Sequence, residues 1–478
     1  MHYSLRSVVK GASIYTVGQL LTKASTFFLI PLYTHYLTPS EYGIFGYLDV
    51  FFQVLSTFLA LGLYGSQTRY LYDSYESKEQ IGEYLYSTNL FLFCFLISIC
   101  GLLTIYGSTL HGLLGTKDIP FNPYFLYIIW TPFFFVMNQM VITLYLAEKR
   151  YLECTFRQIL QFVSLTLMTI LFVVILRQGA LGQIKGLFWG NVIFFLLFYP
   201  QYMRKFKFSF HTCYIKYALY LGIPIVLHLM ASVVLNTVSR AILELHVTKD
   251  QLGLYTLGYQ IGMAVSVISM AINNAWQPNF FELMNSSRNR TENECRHFFA
   301  LWTLILGSIC MVGVLFCKEI LSVFVSTQYH DAYVISRIIL ISFFIQAFYF
   351  IEVTPIFYNK KVAILPLLTG SAAMLNILLN FSLIPKYGIN GAAFAAGISF
   401  LALVGIVHIV GRRFFNPHYA YGRAMVILMM MFPAFLIDES IGVTLLLGKL
   451  AYFILFAAVS LILFQKHLPC LQKMSLVR

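Results

Sequence analysis

Six residues stand out among those that carry charge or amide chemistry within or at the edge of long apolar runs: Lys23, Asp49, Arg69, Asn236, Arg240 and Glu352. An ionisable group in hydrocarbon costs about 2.5–3.5 kcal/mol on insertion scales, so it usually faces a bundle interior or a water-filled cavity. Two kinds of chemistry suit such a set. Cations can bind a phosphate or an acidic sugar, and carboxylates can carry a coupling cation. Lys23 has Gln19, Thr22 and Thr26 on or near its face. It can meet an anionic ligand or pair with Asp49, whose polar face continues through Gln53 and Thr57 at i+4 spacing. Arg240 lies one turn beyond Asn236, in a run that also holds His228. Its planar fork can bond two phosphate oxygens at once, while its place late in the run also allows snorkelling to the outer interface. Arg69 can contact phosphate or simply mark a cytoplasmic edge. His228 can pack through a hydrogen bond or carry a proton. Glu352 suits proton coupling, or else bonds within the bundle or pairs with Lys360 or Lys361. Glu244 and Glu282, near run ends, are expected at the interface.

The elements that hold these groups follow from composition. The 478 residues are 59% hydrophobic and 11% charged, whereas soluble domains are about 45–50% apolar and about 25% charged. The chain has too few polar side chains to cover a soluble fold of this size, so it reads as a polytopic membrane protein. Spans need about 20 apolar residues each, and about fourteen are available. They lie near 11–35, 42–66, 84–107, 122–146, 154–176, 181–203, 214–241, 252–278, 297–317, 332–357, 362–384, 389–410, 423–437 and 443–465. The first is too long for a signal-peptide core and lacks a small-residue cleavage site. Pro433 interrupts the thirteenth and Asp438-Glu439 closes it. Pro31, Pro132, Pro224, Pro355 and Pro366 permit kinks within apolar runs. Asn376 and Asn380, one turn apart, can bond between helices or line a cavity. Gly388 through Ala393 reads as close packing at the start of span twelve.

The net charge is +13. With a cytoplasmic N-terminus, 22 of the 32 Lys and Arg residues fall in inside segments and 9 outside, with Lys23 within the first span. This alternation fits the positive-inside rule with both termini cytoplasmic. Short basic clusters without a basic stripe exclude nucleic acid as the partner. The 8 cysteines lack metal-ligand spacing, and Cys94, Cys100, Cys310 and Cys317 sit in apolar runs as small hydrophobes. No metal, cofactor or catalytic residue is expected. No connection is long enough for a soluble catalytic domain, so the bundle itself must do the work.

An internal repeat organises that bundle. Thr38-Pro39-Ser40-Glu41-Tyr42-Gly43-Ile44-Phe45 aligns without gaps on Thr248-Lys249-Asp250-Gln251-Leu252-Gly253-Leu254-Tyr255 at a shift of 210 residues. Both segments carry a capping box, Thr-x-x-Glu/Gln. Either this is chance convergence on a helix cap or a six-span lobe is duplicated, both copies in one orientation because six is even. Duplication gives lobes at 1–203 and 214–411, a cytoplasmic linker at 204–213, and two further helices in 412–478, with a path between the lobes as in many transporters.

Several segments together resemble the Wzx-type O-antigen and polysaccharide flippases of the multidrug/oligosaccharidyl-lipid/polysaccharide, MATE-like exporter superfamily. They are Phe28-Leu29-Ile30-Pro31-Leu32 running into Leu37–Gly43, Leu61-Gly62-Leu63 with Arg69-Tyr70, Leu252–Tyr255 with Gly258-Tyr259, Trp276-Gln277-Pro278, Asn376–Asn380, and Ile384–Ala393. The resemblance implies an all-α, MATE-like fold. It implies transfer of an undecaprenyl-diphosphate-linked glycan from the cytoplasmic to the outer leaflet of a bacterial inner membrane by alternating access. Membrane lipids, H+ or Na+ as coupling ion, and a polysaccharide polymerase with its chain-length regulator are the implied partners. One departure stands out: the family often has an acidic residue before the arginine late in span seven, and here Ser239 precedes Arg240. A cation-coupled multidrug exporter of the same fold is the nearest rival and would favour acidic and aromatic walls. A membrane polymerase or glycosyltransferase would be expected to show a large external loop with clustered acids, arginines or histidines.

Overall fold

The computed structural model describes residues 27, 29–73, 78–113, 119–204, 206, 208–285, 288–439 and 443–465. Among these residues there is no strand. Eleven helices among the described residues are long and apolar enough to cross a membrane. One of them, Val362–Gly411, is 50 residues long, roughly twice what about 30 Å of hydrocarbon requires at about 1.5 Å per residue. It holds two spans, because the backbone breaks at Gly388 (φ 56°, ψ −133°). The left-handed half of the map is open to glycine and strained for other residues. This corrects the packing role expected for Gly388, whose added Cβ would meet only Val247 at 4.0 Å. The close packing begins with Ala392, Ala393, Ala395 and Ala396, all buried. The thirteenth expected span is short. Its α-helix stops at Met431, and Pro433–Glu439 continues as a 3-10 helix, as expected where proline removes an N–H. Of the first expected span only the end, Ile30–Tyr36, is a described helix; Lys23 lies outside the described residues.

In chain order the helices are α1 (Ile30–Tyr36), α2 (Pro39–Leu59), α3 (Leu63–Asp73), α4 (Lys78–Leu113), α5 (Leu126–Ala147), α6 (Tyr151–Thr169), α7 (Gly179–Met203), α8 (Thr212–Leu243), α9 (Lys249–Leu283), α10 (Arg288–Leu315), α11 (Cys317–Phe324), α12 (Ala332–Tyr358), α13 (Leu365–Gly411), α14 (Tyr421–Met431) and α15 (Val443–Phe464). They form two compact units, residues 1–256 with 380–388, and 257–379 with 389–478.

In the first unit α8 packs on α2, α3 and α4. The break between α2 and α3 explains the Leu61-Gly62-Leu63 motif. Gly62 has φ 66° and lies against Gly222 of α8 so closely that a Cβ on either residue would run into the other's backbone segment. Elsewhere Gly182, Gly186 and Gly190 form an i,i+4 ridge on α7, each against the backbone of 165–173, the small-residue contact that lets membrane helices approach. The unit limits differ from the lobes expected at 1–203 and 214–411: α8 falls in the second expected lobe but in the first compact unit.

The second unit gathers α12, α14 and α15 around α10, with Trp302, Phe343 and Phe344 in its core. Asn376 donates to the Ser399 hydroxyl at 3.2 Å, tying the two halves of α13 together. Lys449 of α15, one of the 9 cations counted as outside, is 0% exposed and donates to Glu319 of α11 at 2.6 Å. Arg337 is likewise buried in α12, with Tyr333 and Phe435 rings 5.2 and 5.8 Å from its guanidinium.

Candidate functional site

Both capping boxes form. Thr38 Oγ1 accepts from the Glu41 amide at 3.3 Å while Glu41 Oε2 accepts from the Thr38 amide at 2.9 Å. In the second copy Thr248 and Gln251 make the same two bonds at 3.3 and 3.4 Å. Each box starts a helix, α2 and α9, and the two starts lie against each other within the first unit. A Cβ on Gly43 would collide with the Lys249 carbonyl, and one on Gly253 with the Pro39 carbonyl. Gly46 faces Thr256 one turn on. Residues 39, 43 and 46 therefore meet 249, 253 and 256, their own counterparts at the 210-residue shift. Such reciprocal contacts between aligned positions are the kind that two copies related by a two-fold axis would make.

Directly beyond the crossing, α2 and α8 bring two of the expected charges together. Arg240 Nη1 lies 2.9 Å from Asp49 Oδ2 and donates to the Gly46 carbonyl at 3.3 Å. Gln53 Nε2 donates to the same Asp49 oxygen at 2.6 Å. Arg240 is 8% exposed, so it does not snorkel, and Asp49 is 20% exposed at its side chain. The carboxylate that Ser239 does not supply thus comes from another helix. The Lys23–Asp49 pair read from spacing is answered on the Asp49 side by Arg240. Asn236 spends its amide on its own helix, donating to the Ser232 carbonyl at 2.7 Å. Arg69 is exposed on α3, beyond the break at Gly62 and twenty residues along the chain from Asp49. His228 is half-buried, three turns before Arg240 on α8. Glu244, expected at the interface, has a buried side chain paired with Lys249.

The second unit holds another buried acid. Glu352 is paired neither with Lys360 nor with Lys361 in any described contact; its partner is His408 of α13, with Nδ1 3.1 Å from Oε2. The side chain of Glu352 is 5% exposed and that of His408 32%. Sequence reading missed His408, although a histidine near the end of an apolar run meets the same criterion that singled out Glu352. It also passed over the buried charges Lys449 and Arg337. No group of three or more His, Cys, Asp and Glu side chains among the described residues could hold a metal ion.

The arrangement is one of buried charges. It has one buried arginine shared between a carboxylate and a backbone carbonyl, and one buried carboxylate leaning on a part-exposed imidazole. A family model described as polysaccharide biosynthesis protein matches residues 8–284, more than half of the chain. The chain belongs to the polysaccharide biosynthesis protein family. An uncharacterized membrane protein of Haemophilus influenzae is 25% identical to this family member over 322 residues, 66% of this chain and 74% of the relative. Among solved structures, the lipid II flippase MurJ in an inward closed conformation superposes with TM-score 0.74 at 13% identity, covering 95% of this chain and 99% of that one. An inward-facing MATE multidrug resistance transporter superposes with TM-score 0.67 at 12% identity, covering 89% and 96%. At these identities the likeness is one of fold, and it makes the protein an all-α, MATE-like membrane protein.

Proposed function

We propose that this protein is a flippase that moves an undecaprenyl-diphosphate-linked oligosaccharide, an O-antigen or related repeat unit, from the cytoplasmic to the outer leaflet of the inner membrane. Family membership and the fold shared with a lipid II flippase support a transporter of lipid-linked glycan. The observation that carries the reading is Arg240, a guanidinium held inside the bundle by Asp49 next to the crossing of the two repeats. A drug exporter for cations has no use for that charge, whereas a diphosphate does. The repeats define the moving lobes, 1–203 and 214–411, with the 204–213 linker and both termini on the cytoplasmic side.

In this mechanism Arg240 exchanges partners. With the path empty its Nη1 donates to Asp49 and to the Gly46 carbonyl. A phosphate oxygen takes the place of Asp49, because charge-assisted bonds to phosphate match the fork's geometry. The released Asp49 then takes up the coupling cation, H+ or Na+, so the interior never holds an uncompensated charge. Lys23, Arg69 and Asn236 complete the substrate path, and Glu352 provides a second coupling group in the other unit. A polymerase and chain-length regulator receive the product outside.

The test is translocation of a fluorescent undecaprenyl-diphosphate glycan by the purified protein in liposomes, measured by quenching of the outer leaflet. Wild type should move it, and Arg240→Ala should not, although it inserts. Transport by Arg240→Ala at the wild-type rate would overturn the anion path.

A further inference from the structure

Glu352 is cut off from solvent. Its Oε2 bonds His408, while Oε1 is buried with no hydrogen-bond partner among the described residues. Gly411 closes the site at one side: a Cβ there would lie 2.7 Å from the Glu352 carbonyl oxygen and 3.7 Å from Oε2. Among the described residues the only ionisable side chain bonded to the carboxylate is His408, which is 32% exposed at its side chain. Both residues sit near the ends of their helices, just before Lys360-Lys361 and Arg412-Arg413, the basic connections assigned to the cytoplasm.

The charged and titratable neighbours are few. Arg412 of α13 acts on His408. Tyr421 of α14 meets the imidazole edge-on at 5.0 Å, and its hydroxyl is buried with no partner among the described residues. Tyr419 lies close to both Glu352 and Cys295 of α10. An ionised carboxylate accepts through both oxygens, so a buried oxygen that accepts nothing suits the O–H form.

We propose that Glu352 and His408 form one proton-binding dyad, in which Glu352 stores the proton and His408 is the port through which it exchanges with the cytoplasmic face. A proton from water adds to His408 Nε2, and the proton on Nδ1 passes to Glu352 Oε2. The result is a neutral carboxylic acid and a neutral imidazole carrying its hydrogen on Nε2. One proton has entered, no electrons have moved, and the reverse sequence releases it. Imidazole changes charge between about pH 5 and 8, which places the exchange in the working range of a cell. The inference rests on the coupling reading of Glu352, but its test needs no transport.

The full chain is placed in lipid nanodiscs and followed by difference infrared spectroscopy after a pH jump within about pH 5–8. Wild type should show a carboxylic-acid C=O band that Glu352→Gln removes. His408→Gln should keep the band and slow its appearance by about a hundredfold, the usual worth of a positioned acid–base group. His408→Ala should be equally slow and regain speed with added imidazole. A band that survives Glu352→Gln overturns the proposal. So does wild-type exchange speed in either folded His408 variant. If liposomes show no glycan transport while these rates behave as expected, the flippase reading fails and the dyad stands.

Discussion

Removing Asp49 and removing Arg240 should not be equivalent, and the difference can be worked from their surroundings. Asp49→Ala leaves a guanidinium that is 8% exposed with the Gly46 carbonyl as its remaining bond from this cluster. Breaking a buried pair in this way costs about 3–5 kcal/mol. The carboxylate is 20% exposed, so water reaches part of the site and the lower end, about 3 kcal/mol, is expected. Arg240→Ala leaves Asp49 partly wet and still bonded to Gln53, a loss nearer about 1–2 kcal/mol. The double variant removes both charges together and should be no less stable than Asp49→Ala. The cycle then gives a coupling of about 1–2 kcal/mol, well outside the roughly 0.3–0.5 kcal/mol within which independent sites add. Denaturant unfolding in micelles by tryptophan fluorescence, for wild type and the three variants, measures all four corners. Additive losses, or an Arg240→Ala variant less stable than Asp49→Ala, would refute the pair as the element that holds the arginine inside the bundle.

Three further outcomes follow from single features. Gly253→Ala drives a methyl group into the Pro39 carbonyl and should cost about 1–3 kcal/mol by overpacking, read as a lower unfolding midpoint; an unchanged midpoint would contradict the crossing. Gly388→Ala should lose about 1–3 kcal/mol because φ 56° with ψ −133° is a region open essentially to glycine alone, and Gly388→Asn should fare no better; an unchanged unfolding midpoint in either variant would mean that the torsion carries no cost. Glu319→Ala should destabilise the protein more than Lys449→Met, since the lysine is 0% exposed whereas the Glu319 side chain is 40% exposed; the reverse order in thermal unfolding would show that the pair does not anchor α15.

Local features were open to sequence reading, and long-range partners were not. Spans appear because each needs only its own run of apolar residues, and the two capping boxes because their bonds close within four residues. Pro433 acted where it stands for the same reason. Asp49 was recognised as a charge needing compensation, and spacing offered Lys23, which lies outside the described residues; the described cation in contact is 191 residues away on α8. Glu352 and His408 are 56 residues apart, and neighbouring lysines looked nearer only along the chain. Gly388 shows a different limit. A glycine before a run of alanines has the same letters whether it allows close approach or a positive φ, and only the backbone separates the two. The polar residue types marked which positions matter; tertiary packing decided which of them meet.

The glycine crossing has a genetic consequence. No amino acid is smaller than glycine, so every missense change at codons 43 and 253 adds at least a Cβ, and in both cases that atom collides with backbone of the opposite helix start. Backbone cannot rotate aside as a side chain can. The two codons, 210 positions apart, should therefore show the same intolerance in a saturation library. A duplicated gene would thus keep its two copies alike at the points where their products touch, while the rest of each copy is free to diverge.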